Sequence, residues 1–391
     1  MTRWLRRQIK ANTPYDEFVR EIITARGNTY AEGPASLFQA LSSPELLGRS
    51  VSQVFLGVRI ECAQCHQHPM EKWGQRDYFA FAGFFTGVKR KGISSGGQMV
   101  VATGGEDLKH PRTKEPVPAA ALGAPPPDLS QYQDRREALA EWMISKENRF
   151  LSRSIVNRIW AHYFGRGLVE PIDDIRPTNP ASNEPLFEAL EEHLVHLDYD
   201  LKAFTRTLLN SRTYQLSSTA NDTNRSDQQN FSHGFNKSLP AEVLLDAICQ
   251  STAIPEEFNG WPIGYRAVQL WDNRIPSYFF RIFGRPARVS VCECERSNEP
   301  SISQALHLMN SPDVTSKIRH RDGRARQLAN SGVGDDEILD ELYLATLSRY
   351  PTDAERDLMH EAFRALPGQR RAAVEDVLWT LLNTKEFIFN H

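Results

Sequence analysis

The sequence predicts a mainly α protein, with helices packed on helices, long ordered loops and only minor β structure. Apolar residues recur at helical spacing along most of the chain, helix-start signals precede them, and Gly, Pro and Asn clusters separate them. The first such element is signed by Thr13 as cap, Pro14 at the first helical position, and Asp16 and Glu17 against the dipole; Phe18, Ile22 and Ile23 form its stripe. The second opens at Ser43-Pro44-Glu45, carries Val51, Val54, Phe55 and Val58, and is expected to run on until its C-terminal end delivers Cys62. Beyond the cysteines, Trp73, Tyr78, Phe79, Phe81, Phe84 and Phe85 fit either an ordinary core helix or the wall of an apolar pocket.

From Gly87 to Ser130 the clusters GISSGG, TGGEDLKHP and APPPD interrupt any period, so a linker or surface excursion is expected there, bounding the domains. Helices follow over 135–145, 152–164, 184–197 and 201–209, the last behind an Asp200 cap. The run from Ser217 to His233 is nearly all Ser, Thr, Asn, Asp and Gln and reads as an exposed loop. A helix over about 240–252 leads into an irregular, aromatic-rich stretch from Phe258 to Arg288, and residues 288–294 read as a short strand with Cys292 and Cys294 on one face. Ser311-Pro312-Asp313 starts a further helix, Thr352 with Glu355 makes a capping box, and Val374, Val377, Leu378, Leu381 and Leu382 stripe the last helix.

The composition excludes several function classes. With 391 residues, 46 Lys+Arg against 49 Asp+Glu and a net charge of -3, the chain offers no basic surface for nucleic acid. No run approaches the roughly 18 apolar residues of a transmembrane segment. Five cysteines are too few for a disulfide scaffold, yet four stand in close pairs, Cys62/Cys65 and Cys292/Cys294.

The first pair reads Cys62-Ala63-Gln64-Cys65-His66, the spacing at which two thiols attach a c-type haem and the next histidine binds its iron. By chance this composition gives the motif only roughly 0.002 times per chain. Three readings of these residues stay open. Haem c is one. The second is Zn or non-haem Fe, held by Cys62, Cys65 and His66 or His68 together with Cys292 and Cys294. The third is structural disulfides within or between the pairs. For a low-spin haem, Met70, Met99, His110 and Met309 are the distal-ligand candidates, while His68 lies too close to His66 to reach the opposite face.

A second constellation, Asp173 and Asp174 with Asn179 on a proline-bounded loop, suits a cation such as Ca²⁺ or a sugar, or else a turn whose acids pair with Arg176 and Arg158. His162 reads as a packed or hydrogen-bonded histidine. The signs alternating over Asp272, Arg274, Arg285, Arg288, Glu293, Glu295 and Arg296 read as an ion-pair network, with a carbohydrate cleft as the alternative.

Long irregular segments carry a resemblance as well. YDEFVREIITARGNTY, VSQVFLGVRIECAQCHQHPMEKWGQRDYFAFAGFF, NRIWAHYFGRGLVEPIDDIRPTNPASNEP, FGRPARVSVCECERSNEPSISQALHLMNS and LLNTKEFIFNH occur in the order seen in a planctomycete family of unknown function, a PSCyt-two type, cytochrome-associated domain followed by a PSD-one type domain. The resemblance covers nearly the whole chain and implies domains over 1–90 and 133–391, with 91–132 between them. It implies an exported protein, periplasmic or at the cell surface, and a chain truncated within its first domain, hence without its signal peptide. The implied function is an exported c-type haem or metal redox protein passing electrons from an external substrate, such as a carbohydrate, to a redox partner protein. The alternative is a non-catalytic module that binds polysaccharide at the cell surface and holds a structural metal. Members often read CHDHPF where this chain has Gln67 and Met70, so a carboxylate contact to His66 or His68 is expected to be missing.

Overall fold

The structure is a computed structural model and describes residues 1–94, 96–271, 275–286 and 301–390. It is mainly α, as expected, with small two- and three-stranded sheets. The chain forms two compact units, residues 1–235 and the remainder from Asn236.

In the first unit the helix Tyr15–Ile23 buries Tyr15, Val19, Ile22 and Ile23, while Thr13 donates to Gln8 Oε1 instead of capping. The helix Pro44–Val51 begins as read, with Leu46 N–H donating to Ser43 Oγ at 3.2 Å. It does not reach Cys62. A π turn over Ser52–Leu56 follows, and Gly57 at φ 67° ends it in the left-handed region, where a Cβ would sit 2.9 Å from Ile175 Cδ1. Most of the aromatic run after the cysteines is core: Trp73, Tyr78, Phe81, Phe84 and Phe85 are buried on or beside the helix Gln75–Ala82.

The segment after Gly87 carries the hairpin Val88–Gly92 with Gln98–Ala102, the latter also paired antiparallel with Gly27–Asn28. Leu108–Lys109 then pairs with Pro116–Val117, and Val100, Val117, Ala119 and Leu122 are buried in this unit. Buried Arg136 is held by Asp134, donates to the Ala25 carbonyl at 2.9 Å and lies over the Phe38 ring, so its charge is compensated and stacked. The helices Arg135–Ile144, Arg149–Phe164, Glu184–His196 and Leu201–Leu209 complete the unit; Asp200 caps the last through Ala203 N–H at 2.9 Å. The polar run to His233 is a mostly exposed series of turns tied around Asp227, whose carboxyl is held far below the usual range by Ser232 and backbone donors.

The second unit packs Ala241–Thr252, Asp335–Leu347 and Arg370–Leu382 around Leu244, Ile248, Leu339, Leu342, Val377 and Leu381. Thr352 and Glu355 form the expected capping box, and Ser311 caps Pro312–Ile318. Arg349 bridges Glu355 and Glu386 with bonds of 2.7–2.8 Å. The strand read over 288–294, and with it Cys292, Cys294, Arg288, Glu293, Glu295 and Arg296, lies outside the described residues, as do Asp272 and Arg274. Among the described residues no helix is long and apolar enough to cross a membrane.

Candidate functional site

Because Gly57 turns the chain, Cys62 arrives on a short 3₁₀ turn, Glu61–Gln64, instead of a helix end. Val58 and Ile60 before it and Ala63 within it are buried and fix the turn to the core, and this leaves Cys62 and Cys65 exposed as free thiols. Gln75 Nε2 donates to the carbonyls of Gln64 and Cys65, both at 3.0 Å, so the next helix closes the open end of the turn. An Arg49–Glu61 ion pair flanks it, and Tyr78, whose hydroxyl donates to the Glu45 carbonyl at 3.3 Å, has its phenol pushed up to about 12 by burial.

His66 follows directly and is exposed. Its Nδ1 lies 2.7 Å from the Gln67 carbonyl. A carbonyl only accepts, so Nδ1 is the donor in this contact and Nε2 is the ring nitrogen left uncommitted by it. The orientation that a carboxylate contact would have given therefore comes from backbone. His68 is turned to other use: Met70 N–H donates to its Nδ1 at 3.3 Å, and its backbone amide N–H donates to the Trp73 carbonyl at 2.9 Å. Met70, one distal-ligand candidate, is exposed; Trp73 Nε1 is buried and has no hydrogen-bond partner among the described residues.

The second constellation is drawn into the scaffold of this turn. Asp173 is fully buried and accepts from Gln53 Nε2 at 2.8 Å and from Arg59 Nε at 3.0 Å, with Arg59 Nη2 closer still. Asp174 pairs with Arg176 at 3.0 Å. Asn179 Nδ2 donates to the carbonyls of Glu170 and Asp174 at 3.0 and 2.9 Å. The buried acid takes Arg59, and Arg158 Nη2 donates to the Gln53 carbonyl at 3.2 Å. Asp173 thus ties the π turn and the segment leading to Cys62 onto the 170–179 loop, which Ile175 N–H also joins to the Gly57 carbonyl at 2.8 Å. Sequence reasoning missed Gln53, Arg59 and Gln75, whose roles depend on contacts up to 120 residues away. His162 is exposed and stacks edge-on with Tyr163 at 4.8 Å. Among the described residues, no group of three or more His, Cys, Asp or Glu side chains is placed to hold a metal ion; the zinc reading also needs Cys292 and Cys294, outside those residues.

Fold and turn define a mainly α protein that presents two thiols and an oriented imidazole on an anchored loop. Residues 135–363 match PSD1, a protein of unknown function (DUF1553), and the chain belongs to that family. Residues 1–90 match PSCyt2, likewise a protein of unknown function (DUF1549), so the two domains occur in the order the resemblance gave. No curated protein and no solved structure matches the chain.

Proposed function

We propose that the chain is an exported c-type haem protein that relays electrons between an external substrate and a redox partner. The observation that carries this reading is the state of the Cys62–His66 turn: both thiols exposed, and His66 Nδ1, not Nε2, engaged by the Gln67 carbonyl. These residues fit the group. Thioether bonds form at sulfur atoms that a cofactor reaches from solvent, and an imidazole whose Nδ1 donates to a carbonyl keeps Nε2 for iron. Cys62 and Cys65 would hold the porphyrin and His66 its iron; bound there, haem supplies one-electron redox chemistry. The chain's own part is to keep the turn rigid, through Gln75 at the carbonyls of Gln64 and Cys65 and through the Asp173–Arg59 anchor upstream.

The test is expression behind a signal peptide in cells that carry a cytochrome c maturation apparatus. The expected result is a Soret band that survives acid–acetone extraction and is lost in the Cys62→Ser/Cys65→Ser variant. Stoichiometric zinc with no such band would overturn the reading in favour of a non-catalytic module with a structural metal.

A further inference from the structure

A cleft of about 660 Å³ opens in the first unit, within the size range of sites that take small ligands. Trp142, near the end of the helix Arg135–Ile144, and Phe150, in the first turn of Arg149–Phe164, form its aromatic lining; their ring centroids are 6.1 Å apart and tilted by 41°. Ile175, Arg176, Pro177, Asn179, Pro180 and Ala181 supply further lining.

The charges in this cleft identify the class of ligand. Three guanidiniums line it, and each is already opposed: Arg149 by Glu191 at 2.7 Å, Arg153 by Glu184 at 2.6 Å, and Arg176 by Asp174 at 3.0 Å. The guanidiniums of the lining are thus all compensated, and Lys72, the cation beside Gly123, lies over the Trp73 ring at 4.7 Å. The polar capacity that remains is of another kind. Glu147 is exposed at the rim, without an ion pair or side-chain hydrogen bond among the described residues. Asn179 has its Nδ2 committed to two carbonyls, which leaves Oδ1 as an acceptor. The Trp142 indole N–H makes no bond among the described residues. One donor and two acceptors around an aromatic pair match a ring that offers an apolar face and a rim of hydroxyls.

We propose that this cleft binds an uncharged pyranose of an oligosaccharide, stacked on Trp142 and hydrogen-bonded by Glu147 and Asn179. Neighbours of the cleft's lining touch the segment after the cysteines: Thr178 Oγ1 donates to the Met70 carbonyl at 2.8 Å, and Gly123 lies against Trp73, whose Cη2 would be 3.7 Å from an added Cβ. The site therefore lies beside the redox turn, where a substrate for the proposed electron transfer would be held, yet its chemistry does not require haem.

The experiment is calorimetric titration of the full chain with cellohexaose, laminarihexaose, xylohexaose and mannohexaose, with an oligogalacturonate as charged control. At least one neutral oligosaccharide is expected to bind with Kd of about 1 mM or tighter, and Trp142→Ala and Glu147→Gln to weaken it by about tenfold or more. Glu147 is exposed and unpaired, so its variant keeps the test alive if Trp142→Ala fails to fold. The Cys62→Ser/Cys65→Ser protein is expected to bind equally well, which separates failure of the haem reading from failure of this one. Absence of binding to every neutral probe, preference for the oligogalacturonate, or unchanged affinity in Glu147→Gln would overturn the proposal.

Discussion

Replacing Asp173 by Ala separates a structural role for this acid from a ligand-binding one. Asp173 is 0% exposed and accepts three hydrogen bonds from Gln53 and Arg59. A hydrogen bond to a charged group contributes about 1.5–3 kcal/mol, and leaving the partner of a buried pair uncompensated costs about 3–5 kcal/mol. The Arg59 side chain is 30% exposed and can regain water, so the lower end applies and a loss of about 3 kcal/mol is expected. For a cooperative unit of this size, each kcal/mol moves Tm by about 2–4 °C, which gives a fall of about 6–12 °C in the thermal transition of the first unit. The assay is circular dichroism melting of wild type and Asp173→Ala with calcium and with chelator. A variant melting within about 2 °C of wild type, or a calcium-dependent rise in Tm that Asp173→Ala abolishes, would refute the anchoring argument and restore the cation site.

Three further outcomes follow from the same geometry. Iodoacetamide on the folded haem-free protein should modify Cys62 and Cys65 quickly and Cys249 slowly, because Cys249 is partly covered and burial pushes its thiol up to about 11; peptide mapping reads the order. Gly57→Ala should cost about 1–2 kcal/mol or more, through the left-handed φ and the Ile175 contact, as measured by urea denaturation. Arg349 holds the Glu355 carboxyl down to about 2, below its usual 4.5, so the unfolded chain takes up that proton first as pH falls; stability from this pair is full above about pH 4.5 and lost towards pH 2. Melting curves across that window should show Glu355→Gln less stable than wild type at pH 6 and the difference shrinking as the pH is lowered.

Much of the helical frame was legible because its signals are local. Ser43, Asp200, Ser311 and Thr352 each accept from a backbone N–H of the first helical turn, and the Val374–Leu382 stripe is buried as its spacing required. The stripe through Val58 misled because Val51, Phe55 and Val58 stay buried when the helix gives way to a π turn; periodicity registers burial and not the left-handed Gly57 that redirects the chain. The hairpin after Gly87 escaped notice because Val100 is its single buried strand residue, so the alternation that marks a half-buried strand is faint beneath the Gly and Ser. Of the candidate site, the thiols and His66 were named by spacing alone. What holds them could not be, since Asp173 meets Arg59 across 114 residues and Gln75 caps a turn that the expected helix would have erased.

The central claim is that Cys62 and Cys65 carry a porphyrin whose iron His66 binds. Mass spectrometry of the tryptic peptide 60–72, from protein matured in an oxidising compartment with haem-attachment enzymes present, tests it most directly. A peptide heavier by one haem, with both sulfurs blocked to alkylation, is expected. A peptide of unmodified mass whose two thiols alkylate freely, or one carrying only a Cys62–Cys65 disulfide, would contradict it.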